Sequence, residues 1–144
     1  SSSGIMQQIG KVLDKNIPNI FVDICYTVGI FNIMYMQDIL DWRDNFKADL
    51  PIYFNHVYTP DHFSCKVLPV EIKNKIVERY KDNTHPDIVS SVKYCTDVDY
   101  DLDKLDMFYS QVKFSDEFRG ESFAETFPEF YELLKQYGNA PEEF

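Results

Sequence analysis

Between Asn19 and Pro69, two apolar, strand-like stretches flank one amphipathic helix, and the rest of the chain is patterned around them. The first, Ile20–Val28, is rich in β-branched and aromatic residues, which favour a pleated, largely buried strand, and it breaks at Gly29. The second, Pro51–Tyr58, begins with proline, where a strand tolerates one, and stops at Thr59-Pro60. Between them Met36, Ile39, Leu40 and the stem of Arg43 fall at i, i+3, i+4 and i+7, one face of a helix over 36–43. Strand, helix and strand within about 40 residues predict a right-handed crossover joining parallel strands.

Ahead of this unit, Ile5, Ile9, Val12 and Leu13 make a narrow apolar stripe, read as a helix ending near Asn16. Gly29–Asn32 is read as a turn, and Thr59–Pro69 as a loop that packs down through Phe63, Val67 and Leu68. From Val70 the period becomes helical. Val70–Asp82 sets Ile72, Ile76 and Val77 on one face, with Lys73 and Lys75 elsewhere. His85-Pro86-Asp87 is a helix start, followed by Ile88, Val89, Val92 and Cys95. The acidic run Asp97–Asp106 leads into Leu105, Phe108, Tyr109 and Val112, and Ser122–Tyr137 reads as one last helix stopped by Gly138. The expected fold class is α/β: two parallel strands with a crossover helix, followed by a helical C-terminal region. Two strands alone leave long edges and are marginal as a sheet. Such a chain must cover those edges, self-associate through them or join a missing partner.

Composition narrows the classes. At 144 residues the chain has the length of one domain, and a domain of this size needs no metal or disulfide staple. Its 44% apolar residues, with many Phe and Tyr, argue against intrinsic disorder. A net charge of −10 repels the phosphate backbone, so no nucleic-acid partner is expected. Cys25, Cys65 and Cys95 are odd in number and far apart, which suits a reducing, cytoplasmic setting and reads as small buried hydrophobes. No leader pattern follows Ser1, and the longest apolar run, about Val28–Met36, falls short of the roughly 20 residues a membrane helix needs. No membrane partner is expected.

The order of Thr27-Val28 and Asn32, a short helix, then Asn55, Pro60 and Leu68-Pro69 resembles the later part of a radical S-adenosylmethionine protein. It is most similar to members with a reduced, twitch-type C-terminal region. The tail agrees: Phe114-Ser115-Asp116-Glu117-Phe118-Arg119-Gly120, followed by Phe123, Phe127, Pro128 and Glu129, resembles the Leu-Asp-x-x-Arg-Gly…Phe-Pro-Glu ending of those chains. The resemblance implies a partial-barrel fragment, with residues 1–69 as the strand–helix–strand segment and 70–144 as a helical region packed on it. It also implies S-adenosylmethionine and a [4Fe–4S] cluster as cofactors of the complete enzyme.

The Cys-x-x-x-Cys-x-x-Cys run that holds three irons of such a cluster does not occur here. The expectation is therefore a chain that binds neither cofactor by itself, is inactive alone, and has the missing N-terminal barrel portion as its partner. Its contribution would be wall, at the carboxyl ends of two parallel strands where α/β ligand sites gather. Mapped residue by residue, that makes Thr27, Asn32, Asn55 and His56 the candidate substrate- or cofactor-binding residues, with no catalytic residue and no metal ligand assigned. A competing reading has Asn32 and Asn55 bracing turns, as asparagine commonly does. The alternative function is a small acidic protein-binding or regulatory module without catalysis.

Other chemistry is weaker. His56, His62, Cys65 and His85 are zinc-ligand types, but only His62 and Cys65 are close in sequence. Asp97, Asp99, Asp101 and Asp103 resemble half a calcium loop. Leu102 stands where glycine is needed and Phe108 where the bidentate glutamate belongs, so the run is read as a solvated helix start. No nucleophile triad order, phosphate loop or basic aromatic stripe is present.

Overall fold

Parallel pairing joins the two apolar stretches, with Ile24 opposite Ile52 and Val28 opposite His56. The structure, a computed structural model, describes residues 2–15, 17–46, 49–97 and 101–142. The expected helix end at Asn16 and Asp99 of the acidic run lie outside the described residues, as do the side chains of Ile5 and Leu102. Along the chain run α1 (Ser2–Asp14), β1 (Ile24–Val28), α2 (Met36–Arg43), β2 (Ile52–His56), α3 (Val70–Tyr80), α4 (Pro86–Thr96), α5 (Leu102–Arg119), α6 (Phe123–Thr126) and α7 (Pro128–Gly138). The architecture is mixed α/β, mostly helical, with one two-stranded parallel sheet among the described residues. No helix among them is long and apolar enough to cross a membrane.

Both strands are shorter than the sequence pattern predicts. The Ile24 N–H donates to the Pro51 carbonyl at 2.9 Å, and there the ladder begins, because proline has no N–H with which to extend it. Ile20–Asp23 therefore lies outside the strand despite its composition. At the other end, the Val57 N–H donates to the Val28 carbonyl at 2.9 Å.

Gly29 follows at once, and a side chain there would collide with the Phe63 carbonyl at 2.8 Å and with Val57 at 2.9 Å. Only glycine lets the loop after β1 close onto the loop after β2, where the Ile30 N–H donates to the Phe63 carbonyl at 2.8 Å. That second loop packs down as its apolar residues predict. It forms two 3-10 turns, Asp61–Phe63 and Cys65–Val67, burying Cys65, Val67 and Leu68.

In the helical half, α5 buries the predicted Leu105, Phe108, Tyr109 and Val112, while the face of α3 is rotated from the predicted one. On α3 the buried stripe is Ile72, Ile76 and Tyr80, with Lys73 buried and Val77 largely exposed. Tyr80 sets that rotation. Its hydroxyl donates to the Ile33 carbonyl and accepts from the Met36 N–H, both at 3.0 Å, and burial pushes its phenol up to about 12. Next to it, Arg79 donates to the Met34 carbonyl at 3.0 Å and pairs with Glu129 of α7. One helix thus ties the start of α2 to the C-terminal helices.

The predicted last helix is broken in two. Phe127 leaves helical geometry (φ −129°, ψ 59°) because Pro128 disfavours the α region in the residue before it and starts α7 as a first-turn proline. Gly138 belongs to α7, and Asn139 takes the left-handed cap at φ 55°. Among the described residues five α-helices therefore follow β2, one more than the four stretches of helical spacing. One apolar core runs from Val28, Ile30 and Ile33 through Ile72, Ile76 and Ile88 to Leu105, Phe108, Phe130 and Leu134.

Candidate functional site: the open face of the sheet

Successive residues of a strand point to opposite faces. On the helix side lie Ile24, Tyr26, Ile52, Phe54 and His56, where the rings of Tyr26 and Phe54 meet at 5.0 Å and His85, before α4, stacks on Phe54 at 6.1 Å. On the other side Cys25 pairs with Tyr53 and Thr27 with Asn55, and all four are exposed. Parallel sheets are usually covered on both faces, so this bare, polar face is the feature that needs a function. Across the ladder, the neighbouring Cys25 side chain holds the Tyr53 phenol above its ordinary value.

The sheet edges are partly closed at the same end. The end bonds fix the parallel alternation, so the backbone groups of Cys25 and Thr27 point away from β2, and those of Phe54 and His56 away from β1. Asn32 Nδ2 donates to the outward Thr27 carbonyl at 2.9 Å, while its Oδ1 accepts from the Gly29 N–H at 2.9 Å. Asn55 Oδ1 accepts from the outward His56 N–H at 2.9 Å. Asparagine side chains thus occupy ladder groups that another strand would otherwise take.

The four sequence-derived candidates separate accordingly. Thr27 and Asn55 stand side by side on the open face, with the Asn55 amide nitrogen available to a ligand. Asn32 sits in the turn with both ends of its amide engaged. His56 is on the opposite face, stacked on Tyr94 at 4.3 Å and 12°. Its Nε2 lies 3.0 Å from Ser91 Oγ, whose own proton goes to the Asp87 carbonyl at 2.7 Å, so the imidazole is the donor and the serine is not activated. Burial holds the His56 pKa below its ordinary value, aided by the Lys66 charge and opposed by Asp87.

Cys25 and Tyr53 were not among the candidates. The period-two alternation that places Thr27 and Asn55 on one face places these two beside them, and that signal is present in the sequence. Cys25 is also the exception to the expectation that every cysteine is buried: it is exposed, whereas Cys65 and Cys95 are buried. The Cys95 thiol donates to the Cys65 carbonyl at 3.3 Å, and the closeness of the two thiols holds the Cys65 pKa down and pushes that of Cys95 up. With one thiol on the open face and two in the core, the three do not fit as ligands of one iron–sulfur cluster.

Among the described residues no three His, Cys, Asp or Glu side chains stand together as a metal-binding group. His62 packs against Phe63 at 4.4 Å, and His85 caps α4 by accepting from the Asp87 N–H at 3.3 Å. The acidic run ends in a cap, with Asp101 Oδ1 accepting from the Lys104 N–H at 3.1 Å.

No family model, curated protein or solved structure matches the chain.

Proposed function

We propose that this chain is the C-terminal portion of a radical S-adenosylmethionine enzyme and supplies wall to a chamber completed by an N-terminal barrel portion. The observation that carries the reading is the bare sheet face, with Cys25, Thr27, Tyr53 and Asn55 in register. In a barrel, one face of each strand meets the outer helices and the other lines the interior. Ahead of β1, Phe21 is 98% exposed and lines one concavity with Ile17 and Ile20, an apolar patch of the kind a neighbouring element covers.

The complete enzyme's cluster would draw on cysteines elsewhere, since those here do not fit one. S-Adenosylmethionine or substrate would meet Thr27 and Asn55, whose hydroxyl and amide offer hydrogen bonds; when bound, that cofactor supplies the radical chemistry. Within this chain Asn32 keeps the Gly29 turn closed and holds the rim of the wall in place.

The test is reconstitution. The polypeptide encoded immediately upstream, loaded anaerobically with iron and sulfide, is mixed with this chain, and reductive cleavage of S-adenosylmethionine is followed. Cleavage that needs both portions, with the KM raised by Asn55→Ala, is the expected result. An upstream reading frame without a three-cysteine loop would sink the proposal. A second reading, an acidic protein-binding module without catalysis, is favoured by the outward face of α5, where Phe118 is 84% and Phe114 67% exposed.

A further inference from the structure

The loops after β1 and β2 bring Phe31 and Phe63 together, with ring centroids 5.7 Å apart, above the carboxyl ends of both strands. Helices α5 and α6 close over them, and Phe123 and Phe127 stand 6.0 and 6.5 Å from Phe31. These rings line a cavity of about 430 Å³, with Asp116 and Arg119 also in its wall. Phe123 is buried, but Phe31, Phe63 and Phe127 are only partly covered. A concave apolar cavity of this size over the strand ends, with a few convergent polar groups, has the dimensions of a small-molecule site.

The charges at its mouth select the ligand. Arg119 faces Glu121 at 4.0 Å, so those two largely offset one another. Asp116 Oδ2 accepts from the Phe123 N–H at 2.7 Å, and the carboxylate has no cationic partner among the described residues. The mouth therefore carries one uncompensated negative charge beside aromatic rings, whose faces also attract cations, on a chain of net charge −10. An anion would meet repulsion from Asp116. A neutral ligand would leave that charge unused.

The geometry points to a binding site for a small apolar cation, an ammonium carried on a hydrophobic body, with the body among Phe31, Phe63 and Phe127 and the charge facing Asp116. This goes beyond the wall role proposed above and does not depend on it, because the chain alone, without cluster or cofactor, must bind.

Isothermal titration of the 144-residue chain with phenyltrimethylammonium, benzyl alcohol and phenylacetate tests it. The cation is expected to bind about two- to fivefold more tightly than the alcohol, and phenylacetate more weakly than either. Asp116→Asn keeps an oxygen for the Phe123 N–H and should remove the preference for the cation while leaving the alcohol unchanged. Phe127→Leu, with its fold checked by circular dichroism, keeps the apolar volume and should weaken the cation more than the alcohol. The proposal is overturned if the folded chain shows no saturable binding of phenyltrimethylammonium, if phenylacetate binds as tightly, or if Asp116→Asn leaves the preference intact.

Discussion

In the helical half, Phe108, Phe130 and Leu134 are fully buried in the common core. In the sheet, one face is half-covered by helices, while the other turns Cys25, Thr27, Tyr53 and Asn55 to solvent. Both regions lie in one chain and share one core, so the bare face is not a sign of poor packing in general. It is local, in register and polar. Polar residues tolerate solvent while they wait for a ligand or a covering element, which an apolar face would do only at the risk of aggregation.

The contrast is broken most sharply from the packed side. Phe108 has no exposed surface and its ring meets those of Phe31, Phe63 and Phe123. Phe108→Ala should lower stability by about 3–5 kcal/mol in chemical denaturation, the range for emptying a buried aromatic site. A loss below about 1 kcal/mol would mean that the C-terminal half is not the rigid partner in the comparison.

Tyr80 is the joint between the two regions. Tyr80→Phe removes a donor to Ile33 and an acceptor for Met36 without changing the ring. The two backbone groups are then left buried without their partner, and the expected cost is about 1–3 kcal/mol. Amide exchange at Met36 should quicken with it, because the lost bond is the one its N–H makes.

How far this division was legible depends on what each signal contains. The boundaries of α2 follow from its spacing to the residue, because the apolar period and the polar flank after Arg43 are both local. Strand propensity is not sufficient in the same way. Ile20–Asp23 has the composition of a strand, but Pro51 ends the ladder, and a partner's identity is not written in the strand itself. The break at Phe127 was visible in Pro128, yet the aligned Phe123, Phe127, Phe130 and Leu134 hide it behind a helical period. On α3 the hydroxyl of one tyrosine turned the face away from Val77. For the site, alternation already separates Asn55 from His56, since neighbours along a strand cannot share a face. Which face would be bare was not legible, because covering helices come from residues about 30 or more positions away.

The two faces also differ in how they answer pH. On the packed face, burial holds the folded pKa of His56 below its unfolded value of 6.5. The unfolded chain then binds the extra proton first. The stability associated with a neutral His56 is present above pH 6.5 and is lost as pH falls through that value toward the folded pKa. One proton sets an upper limit of about 1.4 kcal/mol per pH unit, and solvent at this half-buried site brings the slope well below it. His56→Gln retains a donor for Ser91 and should flatten this part of the denaturation profile between pH 7 and 5. An unchanged profile would show that the stacking on Tyr94 does not desolvate the imidazole.

The smallest stability effect belongs to the bare face, and its smallness is the point. Thr27→Val and Asn55→Ala remove polar groups that meet solvent, so each should shift the stability of the isolated chain by no more than about 0.5 kcal/mol. Asn55 also accepts from the His56 N–H, but that edge group is reached by water when the side chain is gone. The packed helical core and the bare sheet face would then differ by several kcal/mol per side chain. A loss of more than about 1 kcal/mol from Thr27→Val, measured at two protein concentrations, would break the comparison: at equal losses the face is covered from within the chain, and at a loss growing with concentration it is covered by a second copy. If the loss stays small in the isolated chain and appears only with the upstream polypeptide bound, the bare face is a wall awaiting the rest of its chamber.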